Sequence, residues 1–233
     1  MVELRNFAVS DCSLKGIALL TEASPEKISE LEETSEWLEY DTKDIVVDLN
    51  DSSTSVYFVV KGTLQVLDFM NEEQVVALAD MVEGDTIGEL SAIDLKVRSA
   101  RVSASEPTLL AKLPSKAFRN LLVSCPEIAL ALLKQFAGYI RTMNSRVTAL
   151  STMTAHQRIY YELIRIAEPN TMGDGSWVIQ NAPNHTDIAS KAGAERAEVA
   201  DAIGKLARDG VIERKHKQYT IKDFTRLQRL ADQ

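Results

Sequence analysis

The most constraining feature of this chain is one stretch, residues 83–102, which combines two glycines with a carboxylate and an arginine. Gly88 can adopt backbone angles that are closed to other residues, and it lets the chain approach a ligand closely. The Glu89 carboxylate can only accept hydrogen bonds, for example from a sugar hydroxyl. A helix beginning at Glu89 would point free N–H groups at an anion, and the planar fork of Arg98 could clamp two phosphate oxygens. The stretch therefore predicts a site for a small cyclic phosphate.

The residues around this stretch alternate between short apolar runs and turns. Between residues 39 and 113 the apolar or alternating runs are 45–47, 56–60, 63–67 and 74–78, and turn residues lie at 50–53, 61–62, 71–72 and 83–85. Many short strands with frequent turns are typical of an antiparallel barrel or jelly roll. Helices are predicted on either side, at 25–38, where Pro25 suits a first turn, and at 114–122.

From Pro126 onward the sequence predicts one long helix with a regular apolar stripe. Its apolar positions are separated alternately by four and three residues: Ala129, Leu133, Phe136, Ile140, Met143, Val147 and Leu150. This repeat is that of a coiled-coil seam and favours a partner helix. Because the same seam on two copies is self-complementary, we predict a parallel homodimer, while packing of the helix on its own barrel stays open.

The C-terminal part has the pattern of two helices joined by a tight turn, after a predicted helix at 154–167 and a loop at 169–176. Asn184 can cap the first of the two helices, with Asp187 three residues later in a capping-box position. Gly193 lies where the turn requires a glycine. The sequence therefore predicts a helix-turn-helix.

A predicted two-stranded wing with a basic tip follows at 209–221. The net charge of −8 argues at first against nucleic acid, but it is unevenly distributed, with −9 in residues 1–154 and +1 in residues 155–233. From Lys205 to Arg229 there are 8 Lys and Arg residues against 3 Asp and Glu. This asymmetry favours a C-terminal end that faces nucleic acid, although a helical hairpin with a solvated basic face stays open.

Composition argues against several other classes of protein. The 233 residues, 45% of them hydrophobic, suit one large or two small domains with a real core. No apolar run approaches the ~20 residues of a membrane span, and the first residues lack the apolar core of a signal peptide, so we expect a cytoplasmic protein without a membrane partner. Two cysteines, Cys12 and Cys125, are too few for a disulfide framework or a four-cysteine cluster, and we expect no metal. Without a P-loop or a recognisable nucleophile–base pair, we expect no enzyme.

The glycine and arginine segments together resemble the phosphate-binding cassette of cyclic-nucleotide-binding domains. That cassette reads G-E-L/I-A-hydrophobic and, after a short loop, R-S/T/A-A, and it occurs here as residues 88–92 and 98–100. The run 56–62 is similar to the strand–Gly–strand hairpin of the same domains, although 50–53 replaces a frequent glycine. With the long helix, the helix-turn-helix and the wing following in that order, the chain resembles the Crp–Fnr superfamily of bacterial transcription regulators.

The resemblance implies an α+β fold with three parts. These are an N-terminal antiparallel β jelly-roll that binds a cyclic nucleotide at 1–124, a long dimerisation helix at 125–153 and a winged helix-turn-helix DNA-binding domain at 154–233. It implies cAMP or cGMP as allosteric effector, and double-stranded DNA, a second copy of the chain and RNA polymerase as partners. The implied function is transcription regulation by a homodimer on a palindromic operator. A regulator that senses another small molecule or none stays open, as does a protein-interaction module that no longer binds DNA.

The resemblance also implies roles for single residues in the effector site. Glu89 would bind the ribose 2′-hydroxyl, and Arg98 and Ser99 would bind the cyclic phosphate. Backbone N–H groups of the cassette would lie near the same phosphate: Gly88, Leu90 and Ser91. Base contacts would come from the long helix at Met143 and Asn144, since an amide offers both a donor and an acceptor. We prefer cAMP on frequency alone and keep cGMP open.

On the DNA side, Arg196 falls where the family often has a base-reading arginine, and it could pair with guanine O6 and N7. Ala197 and Asp201 replace a frequent glutamate and arginine, so we expect an operator unlike that of the catabolite activator. Ala197 and Ala200 could touch thymine methyls, and Asp201 could accept from cytosine N4, repel phosphate or pair with Arg196. The candidates for phosphate contacts are basic residues of the second helix and the wing: Lys205, Lys215, His216 and Lys217.

Overall fold

The computed structural model describes residues 4–71, 74–170 and 175–232, and for 68–71 and 74–78 it describes the backbone alone. The chain divides into two compact units, Met1–Tyr139 and Ile140–Gln233. The boundary falls inside the long helix. The predicted turn at 71–72 and the predicted loop at 169–176 lie partly outside the described residues.

The first unit is built on two antiparallel sheets. Its described strands are β1 (Glu36–Tyr40), β2 (Ile45–Val47), β3 (Val56–Lys61), β4 (Leu64–Asn71), β5 (Gln74–Met81), β6 (Thr86–Ile87), β7 (Arg101–Ala104) and β8 (Thr108–Leu113). One sheet has the order β1-β8-β3-β6 and the other β2-β7-β4-β5. Every paired neighbour is antiparallel, as expected for a jelly roll.

Strand β3 shows how the core of the first unit is layered. Tyr57 and Val59 point into an apolar cluster shared with the second sheet. Val56 and Phe58 point the other way, into a cluster formed with the helices of the unit. Because side chains alternate between the two faces of a strand, a strand that is buried on both sides reads as the continuous apolar run 56–60.

The helices of the first unit are α1 (Pro25–Thr34), α2 (Glu89–Asp94), α3 (Ser115–Ser124) and α4 (Pro126–Thr152), the last of which continues into the second unit. The predicted start of α1 is confirmed, and Ser24 caps it by accepting a hydrogen bond from the N–H of Lys27 at 3.3 Å. Its predicted end at residue 38 is wrong, because the helix stops at Thr34 and the chain turns into β1. The prediction failed because pairing of β1 with β8 overrides local helix propensity.

The second unit contains α5 (Ala155–Arg165), β9 (Glu168–Pro169), β10 (Trp177–Ile179), α6 (His185–Ala192), α7 (Arg196–Arg208), β11 (Ile212–Lys215), β12 (Gln218–Ile221) and α8 (Phe224–Asp232). The predicted capping box is present, because the Asn184 side chain accepts hydrogen bonds from Thr186 N at 2.8 Å and Asp187 N at 3.0 Å. Gly193 ends α6 in the left-handed region at φ 59°. Helices α6 and α7 with the β11–β12 hairpin form the predicted winged helix-turn-helix, and the predicted α+β fold is confirmed.

Helix length and hydropathy bear on membrane insertion. Among the described residues, no single helix is long and apolar enough to cross a membrane. Helices α3 and α4 pass that test only as a pair, across a bend of 107°.

A paired substitution on α3 tests the packing of the first unit. Phe118 is fully buried and Val123 is 84% exposed. We expect Phe118→Ala to lower the free energy of unfolding by about 3–5 kcal/mol, because it removes a large side chain and leaves a cavity. We expect Val123→Ala to change it by less than about 0.5 kcal/mol. Urea unfolding in a Trp177→Phe background, where Trp37 fluorescence reports the first unit alone, measures both, and equal losses would contradict this packing.

Candidate functional site

The candidate effector site begins where β6 ends, at Gly88. This glycine has φ 83° and precedes α2, which begins at Glu89 as predicted. A Cβ placed on Gly88 would lie 2.3 Å from Arg98 Nη1 and 2.8 Å from the Ser55 carbonyl oxygen. Both the backbone angle and the close approach of Arg98 therefore require glycine at this position.

Arg98 is the centre of the site and is only 3% exposed. Its Nη2 donates a hydrogen bond to the Ser55 carbonyl at 2.7 Å, its Nη1 to the Gly88 carbonyl at 3.2 Å and its Nε to Ser53 Oγ at 3.2 Å. The guanidinium also lies 5.8 Å from the centre of the Tyr57 ring. The structure thus brings Gly88 and Arg98 together as the sequence predicts, and it adds two serines that the sequence did not single out.

The backbone of Arg98 is joined to the same loop. Arg98 N donates to the Asp51 carbonyl at 2.9 Å, and Asn50 N donates to the Arg98 carbonyl at 3.1 Å. Asn50 has φ 63°, so an asparagine supplies the left-handed turn where the family often has glycine. Both the main chain and the side chain of Arg98 are therefore held by residues 50–55.

The charge of Arg98 is not neutralised by a direct partner. Across the described ranges 4–71, 74–170 and 175–232, no carboxylate lies within 4.0 Å of its guanidinium nitrogens, and the three acceptors that its side chain contacts are neutral. Burial lowers the pKa of Arg98, against the more distant charges of Tyr57, Asp51 and Glu89. Arg101 differs, since its Nε and Nη2 donate to the Asp48 carboxylate at 2.7 and 2.9 Å. A buried cation held only by neutral groups is suited to receive an anion.

The remaining predicted cassette residues differ in burial. Burial raises the pKa of the Glu89 carboxyl, while a backbone hydrogen bond and the charge of Arg98 act in the opposite direction. Ser91 is buried and its hydroxyl donates to the Val97 carbonyl at 3.4 Å. Leu90 and Ser99 are exposed. Gly88, Glu89, Ser91 and Arg98 thus form one compact cluster.

The long helix contributes a residue that the sequence did not indicate. Tyr139 lies on α4 in the first unit, and its hydroxyl accepts a hydrogen bond from Gln135 Nε2 at 2.8 Å. Partial burial raises the pKa of Tyr139, the hydrogen bond with Gln135 lowers it, and the negative charges of Glu89 and Asp85 raise it, so the charge of the cassette acts on this phenol. It was missed because it falls beside the heptad seam rather than in it. Met143 and Asn144 are exposed on the part of α4 in the second unit, and their base contacts stay a prediction.

The second unit carries a separate basic face. Arg196, Ala197, Ala200 and Lys205 are exposed on α7. Exposed basic residues also occupy the wing around its tip: Arg214, Lys215, His216 and Lys217. Arg214, which the sequence reasoning did not select, lies 5.8 Å from the centre of the Tyr219 ring.

His185 at the start of α6 links the two parts of this face. Its Nε2 is buried without a hydrogen-bond partner among the described residues. Burial lowers the pKa of His185, and the positive charges of Arg214 and Arg196 lower it further. The charges of Arg196, the first residue of α7, and of Arg214 in the wing therefore both act on His185.

Asp201 has partners other than the one considered from the sequence. Its carboxylate lies 3.2 Å from His156 Nε2 and 3.9 Å from Arg208 Nη2. The proposed ion pair with Arg196 is not among the ion pairs of the described residues. Its contacts to cytosine or phosphate stay predictions.

Within residues 4–71, 74–170 and 175–232, no three His, Cys, Asp or Glu side chains are grouped so that they could hold a metal ion.

Comparison with known proteins agrees with this architecture. The cyclic nucleotide-binding domain family matches residues 37–125, and the Crp-like helix-turn-helix domain family matches residues 157–230. The cAMP-activated global transcriptional regulator CRP of Pasteurella multocida is 25% identical over 187 residues, covering 76% of this chain and 88% of that protein. Lysophospholipase NTE1 of Phaeosphaeria nodorum is 25% identical over 124 residues, which are 53% of this chain but only 8% of that protein.

Solved structures share the fold. A CooA mutant from Carboxydothermus hydrogenoformans superposes with a TM-score of 0.75 at 20% identity, covering 92% of this chain and 95% of that one. The c-di-GMP responsive global regulator CLP of Xanthomonas campestris gives 0.69 at 18% identity, covering 85% and 99%. Because the two family matches occur in the family's order and cover most of the chain, the chain belongs to the Crp–Fnr superfamily of regulators.

The half-buried Glu89 carboxyl leads to a prediction about stability. Its pKa in the folded protein lies above the ordinary value of 4.5, so its ionised form is disfavoured by folding. We expect Glu89→Gln to raise the free energy of unfolding at pH ~7 by on the order of 1 kcal/mol or less. The advantage should shrink as the pH falls through the raised pKa, because the wild-type carboxyl then takes up a proton.

Urea unfolding in the Trp177→Phe background, monitored by Trp37 fluorescence at several pH values, measures this difference. Glu83→Gln, at an exposed position five residues before the cassette glycine, is the control. A less stable Glu89→Gln variant at neutral pH, or a difference that does not change with pH, would show that burial does not dominate at Glu89.

Proposed function

We propose that the protein is a cyclic-nucleotide-responsive transcription regulator that binds DNA. The observation that carries the proposal is the buried Arg98 guanidinium, which has neutral acceptors only. A phosphate oxygen would be a stronger acceptor than a carbonyl, since charge-assisted hydrogen bonds are about twice as strong as neutral ones. Glu89, one residue after Gly88, would then accept from the ribose 2′-hydroxyl, with Ser99 and the N–H groups of Leu90 and Ser91 near the phosphate.

We propose cAMP as the effector, with cGMP as the alternative. The regulator from Pasteurella multocida is described as cAMP-activated, which supports this choice. A second candidate is a regulator of the same architecture with another effector or none, and it is favoured by the structural neighbour CLP, which is c-di-GMP responsive. Met143 and Asn144 would contact the base in the first case.

We propose that the active form is a homodimer joined along α4. Five seam residues are between 51% and 62% exposed: Leu133, Ile140, Met143, Val147 and Leu150. Apolar side chains repeated along one helix face are an unfavourable surface in water, and a second copy of the seam would bury them. In this proposal residues 1–124 sense the nucleotide, 125–153 dimerise and 154–233 bind DNA.

The proposed response follows from this arrangement. A nucleotide can shift an equilibrium between two states only by its differential affinity for them. We propose that it extends the paired seam from Phe136 to Leu150 and fixes the register of the two helices. This would set the two α7 helices of the dimer one DNA turn, about 34 Å, apart on a palindromic operator. RNA polymerase would be the further partner, the location would be cytoplasmic, and no catalytic step is involved.

Calorimetry with cAMP and with cGMP tests the effector site. We expect micromolar binding of one nucleotide to the wild-type protein and a loss of at least about 30-fold in affinity in Arg98→Ala, because the phosphate loses its buried cation. Arg101→Lys is the matched control, since Arg101 is bonded to Asp48, and it should bind as the wild type does. Equal binding by Arg98→Ala would refute the site, and no binding by the wild type would favour the second candidate.

Binding to an operator recovered by selection from random duplexes tests the DNA face. We expect Arg196→Ala to weaken operator binding by about 1–3 kcal/mol and to relax the preference at one base pair, because a guanine contact is lost. Lys217→Ala should instead weaken operator and random DNA alike and reduce the salt dependence, as a phosphate contact does. Equal weakening of both DNAs by Arg196→Ala would exclude it as a base-reading residue.

A further inference from the structure

The first turn of α5 connects several elements of the second unit through one side chain. Arg158 Nε donates a hydrogen bond to the Ala192 carbonyl at 2.8 Å, and its Nη2 donates to the Gly193 carbonyl at 2.7 Å. Its Nη1 donates to the Met153 carbonyl at 2.9 Å. One planar guanidinium thus spans from the residue after the end of α4 to the turn between α6 and α7.

The chemistry of these acceptors makes the bridge strong. Ala192 and Gly193 close α6 and Met153 follows α4, so all three carbonyls belong to helix ends, where carbonyls lack a partner within the helix. Helix C-termini also carry partial negative charge, which favours a cation. A planar fork with fixed donor directions can bond to three such oxygens at once, which a lysine ammonium on a flexible stem cannot reproduce.

Side-chain packing also connects the end of α4 to the turn between α6 and α7. Gly193 has φ 59°, and a Cβ built on it would lie 2.8 Å from Leu150 Cδ2. The last turn of α4 therefore lies against the turn of the helix-turn-helix, and a side chain at position 193 would require the Leu150 side chain to move. This apolar contact and the Arg158 bridge hold the same pair of segments from two sides.

The neighbours of Arg158 in sequence reach further elements. His156 Nε2 contacts the Asp201 carboxylate of α7 at 3.2 Å. Gln157 Nε2 donates to the Ala231 carbonyl of α8 at 3.1 Å. Three successive residues of one helical turn thus contact α7, α8 and the end of α6, which makes this turn the junction of the unit.

We propose that Arg158 is a positioning residue that fixes the helix-turn-helix relative to the end of α4, so that a change along α4 reaches α7 through it. The link between Met153, Arg158 and Gly193 is a property of the second unit alone. Its use in a nucleotide response rests on the proposed function. The residue touches neither the predicted effector nor the predicted DNA bases.

Amide hydrogen exchange on the full-length protein tests the link without any nucleotide. Arg158→Lys keeps the positive charge but removes the planar guanidinium that donates to all three carbonyls. We expect exchange at least about tenfold faster both at the end of α4 and at the α6–α7 turn, because hydrogen bonds to both segments are lost together. The β11–β12 hairpin should exchange as in the wild type. Arg226→Lys is the matched control, because Arg226 bonds to the Asp209 carbonyl at 3.1 Å but not to Met153.

The outcomes separate this proposal from a simple helix cap. Faster exchange confined to the end of α6, or unchanged exchange at both places, would overturn the positioning role. Faster exchange at both places in Arg158→Lys, but not in Arg226→Lys, would support it.

A second measurement asks whether the link transmits the response. Fluorescence anisotropy gives the operator affinity with and without cAMP. The ratio of these two affinities should be at least about 5-fold smaller in Arg158→Lys than in the wild type, while the affinity for cAMP itself is unchanged. An unchanged difference would overturn transmission through Arg158. A wild-type protein that ignores cAMP and cGMP would refute the proposed function, while the exchange result would still decide the positioning role.

Discussion

The first unit depends on one buried positive charge. Arg98 takes its acceptors from Gly88 and from the loop 50–55, and its own backbone is bonded to that loop on both sides. A buried guanidinium loses its hydration, which costs free energy. Each acceptor that surrounds it offsets part of that cost and so contributes to the stability of the fold. The requirement for glycine at position 88 follows from this packing, because a Cβ there would meet Nη1.

The sequence could predict the part of this site that is local. Gly88 and Glu89 are adjacent and Arg98 is ten residues away, within one strand–helix–loop segment, so their clustering follows from local pattern. Ser53 and Ser55 lie more than forty residues before Arg98 and meet it only through the pairing of β3 with β6 and β8. The Ser55 carbonyl carries no sequence signal, because any residue offers a backbone carbonyl, and nothing in the residues around Ser53 marks its hydroxyl as a partner of Arg98.

The difference between contacts that are local in sequence and contacts that are distant also explains which parts of the whole fold could be predicted. Caps and turns were predictable because Asn184 and Gly193 act on their nearest neighbours in the chain. The end of α1 was not, because strand pairing 76 residues away in sequence, between Glu36 and Lys112, decides it. Asp201 shows that prediction from sequence is limited even within a recognised motif. Its contact with His156 depends on how α5 packs on α7.

The state of Arg98 also limits how a nucleotide could act. Its hydrogen bonds to Ser53 and Ser55 are already formed, but together with the bond to Gly88 they use only three of the five guanidinium N–H donors. A phosphate bound by the two remaining donors would leave the loop 50–55 as it is and would not shift its arrangement. A phosphate that displaces Ser53 or Ser55 would change the loop, and its binding free energy would be what remains after those bonds are broken. The size of the response and the affinity for phosphate then oppose each other at Arg98. Each hydrogen bond within the protein that the phosphate displaces increases the change in the loop and makes the net binding free energy less favourable.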